Sequence, residues 1–185
     1  KVSFFLLGAA FLASSLAFVA PKNPKAPITL AVQSDKSRVD FIGSKAADFH
    51  TGTFAVKGGS VQVEGGKLVG GSFVIDLANL KVTDAAGDRL AGHLKSADFF
   101  DVAKFGEAVY TISSVDYSSA SACTINGTLN IKGVGVPVSF AANIRSASEK
   151  GLFGQAYFSL DRTLLGIAYA GPSKDVQIAV HLFAK

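Results

Sequence analysis

Tryptophan and methionine are absent from this 185-residue chain, and cysteine occurs once, at Cys123. A lone cysteine excludes an intramolecular disulfide framework. Cys123 lies in an alternating run without a nearby basic partner, so it reads as a small buried hydrophobe and not a nucleophile. Charge is also sparse, at 17% of residues, with a net charge of +4. Lys1, Lys22 and Lys25 precede the region that reads as folded, and no Lys/Arg run occurs within it. Nucleic acid is therefore excluded as a partner, because its recognition needs a basic patch. The three histidines, His50, His93 and His181, form no H-x-H, H-x-x-H or H-E-x-x-H arrangement, so no metal site has local support. No G-x-S-x-G elbow occurs. The pairs Gly58-Gly59, Gly65-Gly66 and Gly70-Gly71 read as turns and bulges and not as phosphate loops, since no helix follows them.

What the chain does have is apolar bulk: 49% hydrophobic residues, fifteen of them phenylalanine, together with 19 glycines. Part of this bulk stands at the start. Lys1 precedes a long apolar run that ends in small residues near Ala17 and Ala20, the pattern of a secretory signal peptide. Residues 1–20 are expected to be that signal, and export to a bacterial periplasm or beyond follows. Pro21, Pro24 and Pro27 cannot sit in a helix or a central strand, so residues 21–34 are expected to be a linker. The domain is then 35–185.

Period-2 alternation dominates that domain. Val136, Val138, Phe140, Ala142 and Ile144 share one face, while Ser139, Asn143 and Arg145 share the other. Ile125, Gly127, Leu129 and Ile131 alternate with polar residues, as do Val176, Ile178, Val180 and Leu182. Strands are expected at 36–45, 50–57, 59–64, 67–77, 107–117, 122–132, 135–147, 152–162 and 175–184, with Gly-rich turns between them. One wet face and one dry face is the antiparallel habit, and a meander of about eight such strands removes its edges by closing into a barrel. The fold class is therefore all-β.

Residues 83–105 break the pattern. Leu90 and Leu94 lie four apart, on one helical face, and Ser96 reads as the N-cap of a second short helix with Asp98 near its positive end. His93 could act as an acid or base with Asp88 or Asp98. The favoured reading is that it orients the insertion through hydrogen bonds to backbone or carboxylate. Asp161-Arg162 reads as a structural pair pointing to opposite faces, with a headgroup anchor as the alternative.

Several of these stretches carry a family resemblance. Gly87 to Asp101, reading GDRLAGHLKSADFFD, resembles the central motif of the YceI-like family. Gly127 to Phe140, GTLNIKGVGVPVSF, is similar to its next signature, Asp161-Arg162 with Gly166-Ile167 to its last, and Ser37 to Phe41 to its first strand. Gly106 stands where the family usually has proline, Tyr110 where it usually has phenylalanine, and the 81–87 segment is shortened. The resemblance implies an extended eight-stranded lipocalin-like antiparallel barrel, with the 87–101 insertion. It also implies an apolar cavity for a long isoprenoid chain such as a polyprenyl quinone or its precursor.

Phenylalanines on alternating faces could instead fill a solid core, since a small barrel is either packed or left open for one ligand. The resemblance favours the cavity, and Gly127, Ala142 and Ala156 on inward faces leave room. The expected ligand-binding residues are Phe41, Phe54, Phe73, Ile75, Phe140, Phe158 and Ile178 on the walls, with Tyr110 and Ile112 beside them. Leu94, Phe99 and Phe100 are expected on the insertion. No cofactor other than the apolar lipid and no catalytic residue is expected. An enzyme using His93, a structural envelope barrel, transient membrane contact and a homodimer stay open as alternatives. A membrane-spanning barrel ranks low, because the outward faces carry Asn, Ser, Thr, Gln and Arg.

Overall fold

The computed structural model describes residues 26–185. The expected signal peptide and the first residues of the expected linker lie outside the described residues. The elements in chain order are β1 (Ile28–Ala31), β2 (Arg38–Lys45), β3 (Asp48–Glu64), β4 (Lys67–Val82), α1 (Gly87–Lys95), β5 (Glu107–Tyr117), β6 (Ala122–Ile131), β7 (Val134–Ser148), β8 (Gly151–Asp161), a 3-10 turn (Arg162–Leu165) and β9 (Asp175–Ala184). All pairings are antiparallel. Strands β4 to β9 follow one another as a meander, β9 bonds β2, β2 bonds β3, and β3 bonds back to β4. The result is the expected closed barrel of eight strands with a short helix.

Closure depends on β3. Its first half pairs with β2, from Lys45↔Asp48 to Arg38↔Ala55. Its second half runs past the end of β2, and there β1 takes over, with Ile28↔Val63 and Ala31↔Ser60. Ala31 N–H donates to the Lys185 carbonyl and Gln33 N–H to that of Phe183, so the chain bridges from β3 to β9 and fills the seam. Residues 28–33 are therefore barrel wall, and the expected linker over 21–34 is corrected on this point. A prolyl ring at Pro27 forbids a ladder bond only at its own position. Leu30 and Val32, which follow it, are buried.

Two further expectations are corrected. Lys57-Gly-Gly-Ser60 is not a turn between two strands, because β3 runs through it with register shifts. At Gly59 a Cβ would lie 2.2 Å from the Ser72 carbonyl oxygen, so the glycine lets two strands approach where the barrel bends. Nor does Ser96 start a second helix. It ends α1: its N–H and hydroxyl both donate to the His93 carbonyl, and its own carbonyl accepts from Phe99 and Asp101 N–H. Residues after Ser96 turn back on themselves, and Phe100 N–H donates to the Leu94 carbonyl. Lys132, at the β6–β7 turn, donates to the Phe99 carbonyl and holds this fold-back over one end of the barrel.

At the same end Arg162 is buried, at 8% exposure. Its guanidinium donates to the carbonyls of Ile167 (2.6 Å), Tyr169 (2.7 Å), Ser173 (2.8 Å) and Pro172 (2.8 Å). Asp161 does not pair with it. That carboxylate accepts from Thr163 N–H at 2.9 Å and faces Lys174 at 3.5 Å. Arg162 is thus the hub that shapes the 162–174 loop, since only a guanidinium presents donors in several fixed directions. Arg162→Met should lose about 3 kcal/mol or more, through carbonyls left unpaired, and Arg162→Lys should recover little of it. Denaturant unfolding of the two variants measures both losses.

Candidate functional site

The barrel interior is hollow at the end that carries α1. A cavity of about 220 Å³ opens there. Its walls are strand residues of the inward faces, among them Phe41, Phe54, Phe73, Ile75, Phe140, Phe158 and Ile178. Leu90, Leu94, Phe99 and Phe100 cover it from α1 and the fold-back, and Leu165, Ile167 and Pro172 from the Arg162 loop. Edge-to-face contact joins Phe54 to Phe100 at 5.6 Å, so the cover is packed onto the wall. Of the twelve residues expected from the sequence, eleven line this cavity. Ile112 does not. It lines a second, smaller cavity of about 30 Å³ beyond, together with Ala142 and Ala156.

Tyr110 lies between the two. It rises from β5, crosses over β6 and donates its hydroxyl to the Val138 carbonyl on β7 at 2.9 Å. The crossing is possible because β6 carries Gly127 at that point: a Cβ there would meet the Tyr110 ring at 2.6 Å. The space expected at Gly127 is therefore filled by this ring. Burial raises the Tyr110 phenol to a pKa of about 12, so it stays protonated and keeps its donor. Phe73 and Phe140 flank it at 5.8 and 5.4 Å, and Phe158 stacks on Phe140 at 4.3 Å.

Apart from the buried Arg162 and the Tyr110 hydroxyl, the polar residues that line the cavity gather at its mouth: Ser44, Lys45 and His50 from the β2–β3 hairpin, and Ser173. Ser173 N–H donates to the Ser44 carbonyl at 2.7 Å, which ties hairpin and loop together. The His50 ring meets Asp84 at 3.2 Å. The backbone N–H groups of Ala86 and Thr51 hold the Asp84 carboxyl below its usual range, with His50 adding to them. Asp84 is thus an anion that fixes the hairpin to the strand leading into α1.

His93 is placed differently from the expectation. Its ring packs against Phe99 and Tyr169, each at 5.1 Å, and those two lie 4.9 Å from each other. Among the described residues no side-chain hydrogen bond or ion pair joins His93 to Asp88 or Asp98. It orients the cover by aromatic packing, not through a carboxylate. Among the described residues no cluster of His, Cys, Asp or Glu could hold a metal ion.

The outer face of β5, β6 and β7 carries a polar network, while Phe49 and Tyr157 are exposed elsewhere on the surface. Asn126 donates to Asp116 at 2.7 Å and accepts from Ser139 at 2.6 Å, across β5, β6 and β7. A polar exterior around an apolar interior is the reverse of a membrane-spanning barrel.

Some lining residues escaped the sequence reading. Val39, Leu129, Val138 and Val180 follow the same alternation as the phenylalanines and could have been read from it. Lys45 and His50 could not, because only hairpin register places them at the mouth. Leu165 and Ile167 belong to a loop with no periodicity, and Arg162, weighed as a headgroup anchor, lines the cavity with its guanidinium bonded to loop carbonyls.

The family model for the YceI-like domain matches residues 30–184. A UPF0312 protein of Vibrio vulnificus is 28% identical over 114 residues, spanning 59% of this chain and 59% of that protein. Among solved structures, Burkholderia cenocepacia BcnA superposes with a TM-score of 0.71 at 18% identity, over 83% of this chain and 99% of that one. A polyisoprenoid binding domain from Saccharophagus degradans, described as implicated in plant cell wall breakdown, gives 0.67 at 17% identity, over 84% and 97%. At these identities the structural likeness is one of fold.

Two variants test the geometry. Gly127→Ala must displace the Tyr110 ring or the Thr111 carbonyl, and should destabilise by about 1–3 kcal/mol in thermal or denaturant unfolding. His93→Ala should lower stability by about 1 kcal/mol through lost aromatic contacts and leave retention of an apolar ligand unchanged. Loss of ligand retention without loss of stability would instead give His93 a direct role.

Proposed function

We propose, from the premise that the chain belongs to the YceI-like domain family, that it is a binding or carrier protein for an isoprenoid-type lipid held in the barrel interior. The observation that carries this reading is the cavity: walls almost wholly apolar, many of them aromatic, with polar groups gathered at one mouth. A methyl-branched polyene has the same distribution of chemistry, an apolar tail and at most a small polar head. Removing such a tail from water stabilises the complex by roughly 25 cal/mol per Å² of apolar surface. The hollow interior argues against a barrel that serves only as a solid structural core. The neighbour described as a polyisoprenoid binding domain supports the same class of ligand.

A polyprenyl quinone or its precursor is the ligand we favour. The terminal part of its tail would lie along the phenylalanines, and Ser44, Lys45 and His50 would line the way out toward its headgroup. The apolar pattern of residues 1–20 supports a site of action in the bacterial periplasm or outside the cell. The geometry favours binding over catalysis, because among the described residues no hydrogen bond joins the Ser44 hydroxyl to His50 at the mouth.

Mass spectrometry of an organic extract from the purified protein tests the proposal. A co-purifying isoprenoid lipid, or uptake of an added polyprenyl quinone at a one-to-one ratio, is the expected result. Neither a bound lipid nor any uptake would overturn it.

A further inference from the structure

The two interior cavities share part of their lining. Phe73, Tyr110, Phe140 and Val180 border both the 220 Å³ chamber at the mouth and the 30 Å³ chamber beyond. A partition one side-chain layer thick separates them, and its members are not held alike. Phe73 and Phe140 are rings held by apolar contact alone. Tyr110 is fixed at both ends: its backbone lies in the β5 ladders with β4 and β6, and its hydroxyl is bonded to the Val138 carbonyl on β7. The ring lies directly on Gly127, so the wall behind it leaves no room to retreat. Swinging it aside would break the hydrogen bond in an apolar interior, where the freed carbonyl and phenol find few other partners.

Size gives the consequence. On the scale where an apolar cavity of about 150 Å³ takes one benzene ring, 220 Å³ takes roughly ten carbons, or two isoprene units. On the same scale the small chamber holds about one methyl group.

We propose that Tyr110, strapped across β6 to Val138, is the end stop of the ligand chamber and limits the buried tail to about two isoprene units. This inference rests on the reading of the chamber as an isoprenoid site. A longer chain is gripped by its terminal units only. Its remainder leaves by the mouth past Ser44, Lys45 and His50, where it gains little further apolar contact.

Titration calorimetry with prenol, geraniol, farnesol and geranylgeraniol, which contain one to four isoprene units, tests the stop. Each is used below its aggregation limit. For the wild-type protein affinity should rise at least about tenfold from prenol to geraniol and change less than about twofold thereafter. Tyr110→Phe keeps the ring and removes the tether, and Tyr110→Ala joins the chambers and adds a void close to a benzene ring. Tyr110→Ala should continue to gain affinity at farnesol, by at least about tenfold over geraniol, whereas Tyr110→Phe, whose ring still fills the partition, should stay near the wild-type length profile. Thermal unfolding of each variant confirms that it is folded, and the wild-type series stands as a test without either variant. Wild-type affinity that climbs steadily through geranylgeraniol would overturn the stop. So would a folded Tyr110→Ala variant that keeps the wild-type length profile. Failure of all four alcohols to bind the wild-type protein would instead overturn the isoprenoid reading itself.

Discussion

Everything else in this molecule depends on β3 being hydrogen-bonded on both sides. A meander of strands β4 to β9 alone would leave two unpaired edges, and unpaired edges either find partners in other chains or cost the fold its cooperativity. Strand β3 is long enough to pair with β2, β1 and β4 in turn, and the glycine bulges near Gly59 let it bend from one partner to the next. Once the sheet is a closed cylinder, each strand has an inside and an outside. A Phe on one parity faces the chamber, and an Asn or Ser on the other parity faces outward.

Closure creates a second problem at the ends, where backbone groups stop finding ladder partners. The two covers at the mouth solve it with different chemistry. Around Arg162 a buried cation collects four loop carbonyls, which shapes residues 167–173 into a rim without any regular structure. Around Ser96 the polar groups are backbone, a hydroxyl and the Lys132 ammonium on the Phe99 carbonyl, and rings add to the fastening: His93, Phe99 and Tyr169 form one cluster, and Phe54 and Phe100 another. Tyr169 belongs to the Arg162 loop and touches the Ser96 fold-back, so the two covers form one assembly.

Inside, the balance between space and filling is set by a few aromatic rings. Phe140 and Phe158 stack, Phe41 and Phe54 lie 5.1 Å apart, and Tyr110 bridges the barrel wall. These contacts divide the interior into a chamber large enough for a small apolar ligand and a remainder that is nearly full. The apolar walls of the chamber offer a water few hydrogen bonds, so an apolar guest meets little competition there.

The sequence by itself determined the barrel, the strand boundaries from β5 to β9 to within a residue or two, and which faces turn inward. Alternation is a local property, and a closed sheet can satisfy it in only one sense. It also determined most of the chamber wall, because Phe41, Phe54, Phe73, Phe140, Phe158 and Ile178 sit on inward parity. The family motifs announced the insertion over 87–101. Only the tertiary structure decided the rest. That β1 seals the seam depends on how far β3 outruns β2. That His93 sits among rings, and that Ser96 ends a helix instead of starting one, depends on the fold-back held by Lys132. That Gly127 gives its space to Tyr110 depends on three strands lying side by side. These are contacts between residues distant in sequence, and no local period encodes the distance at which they meet.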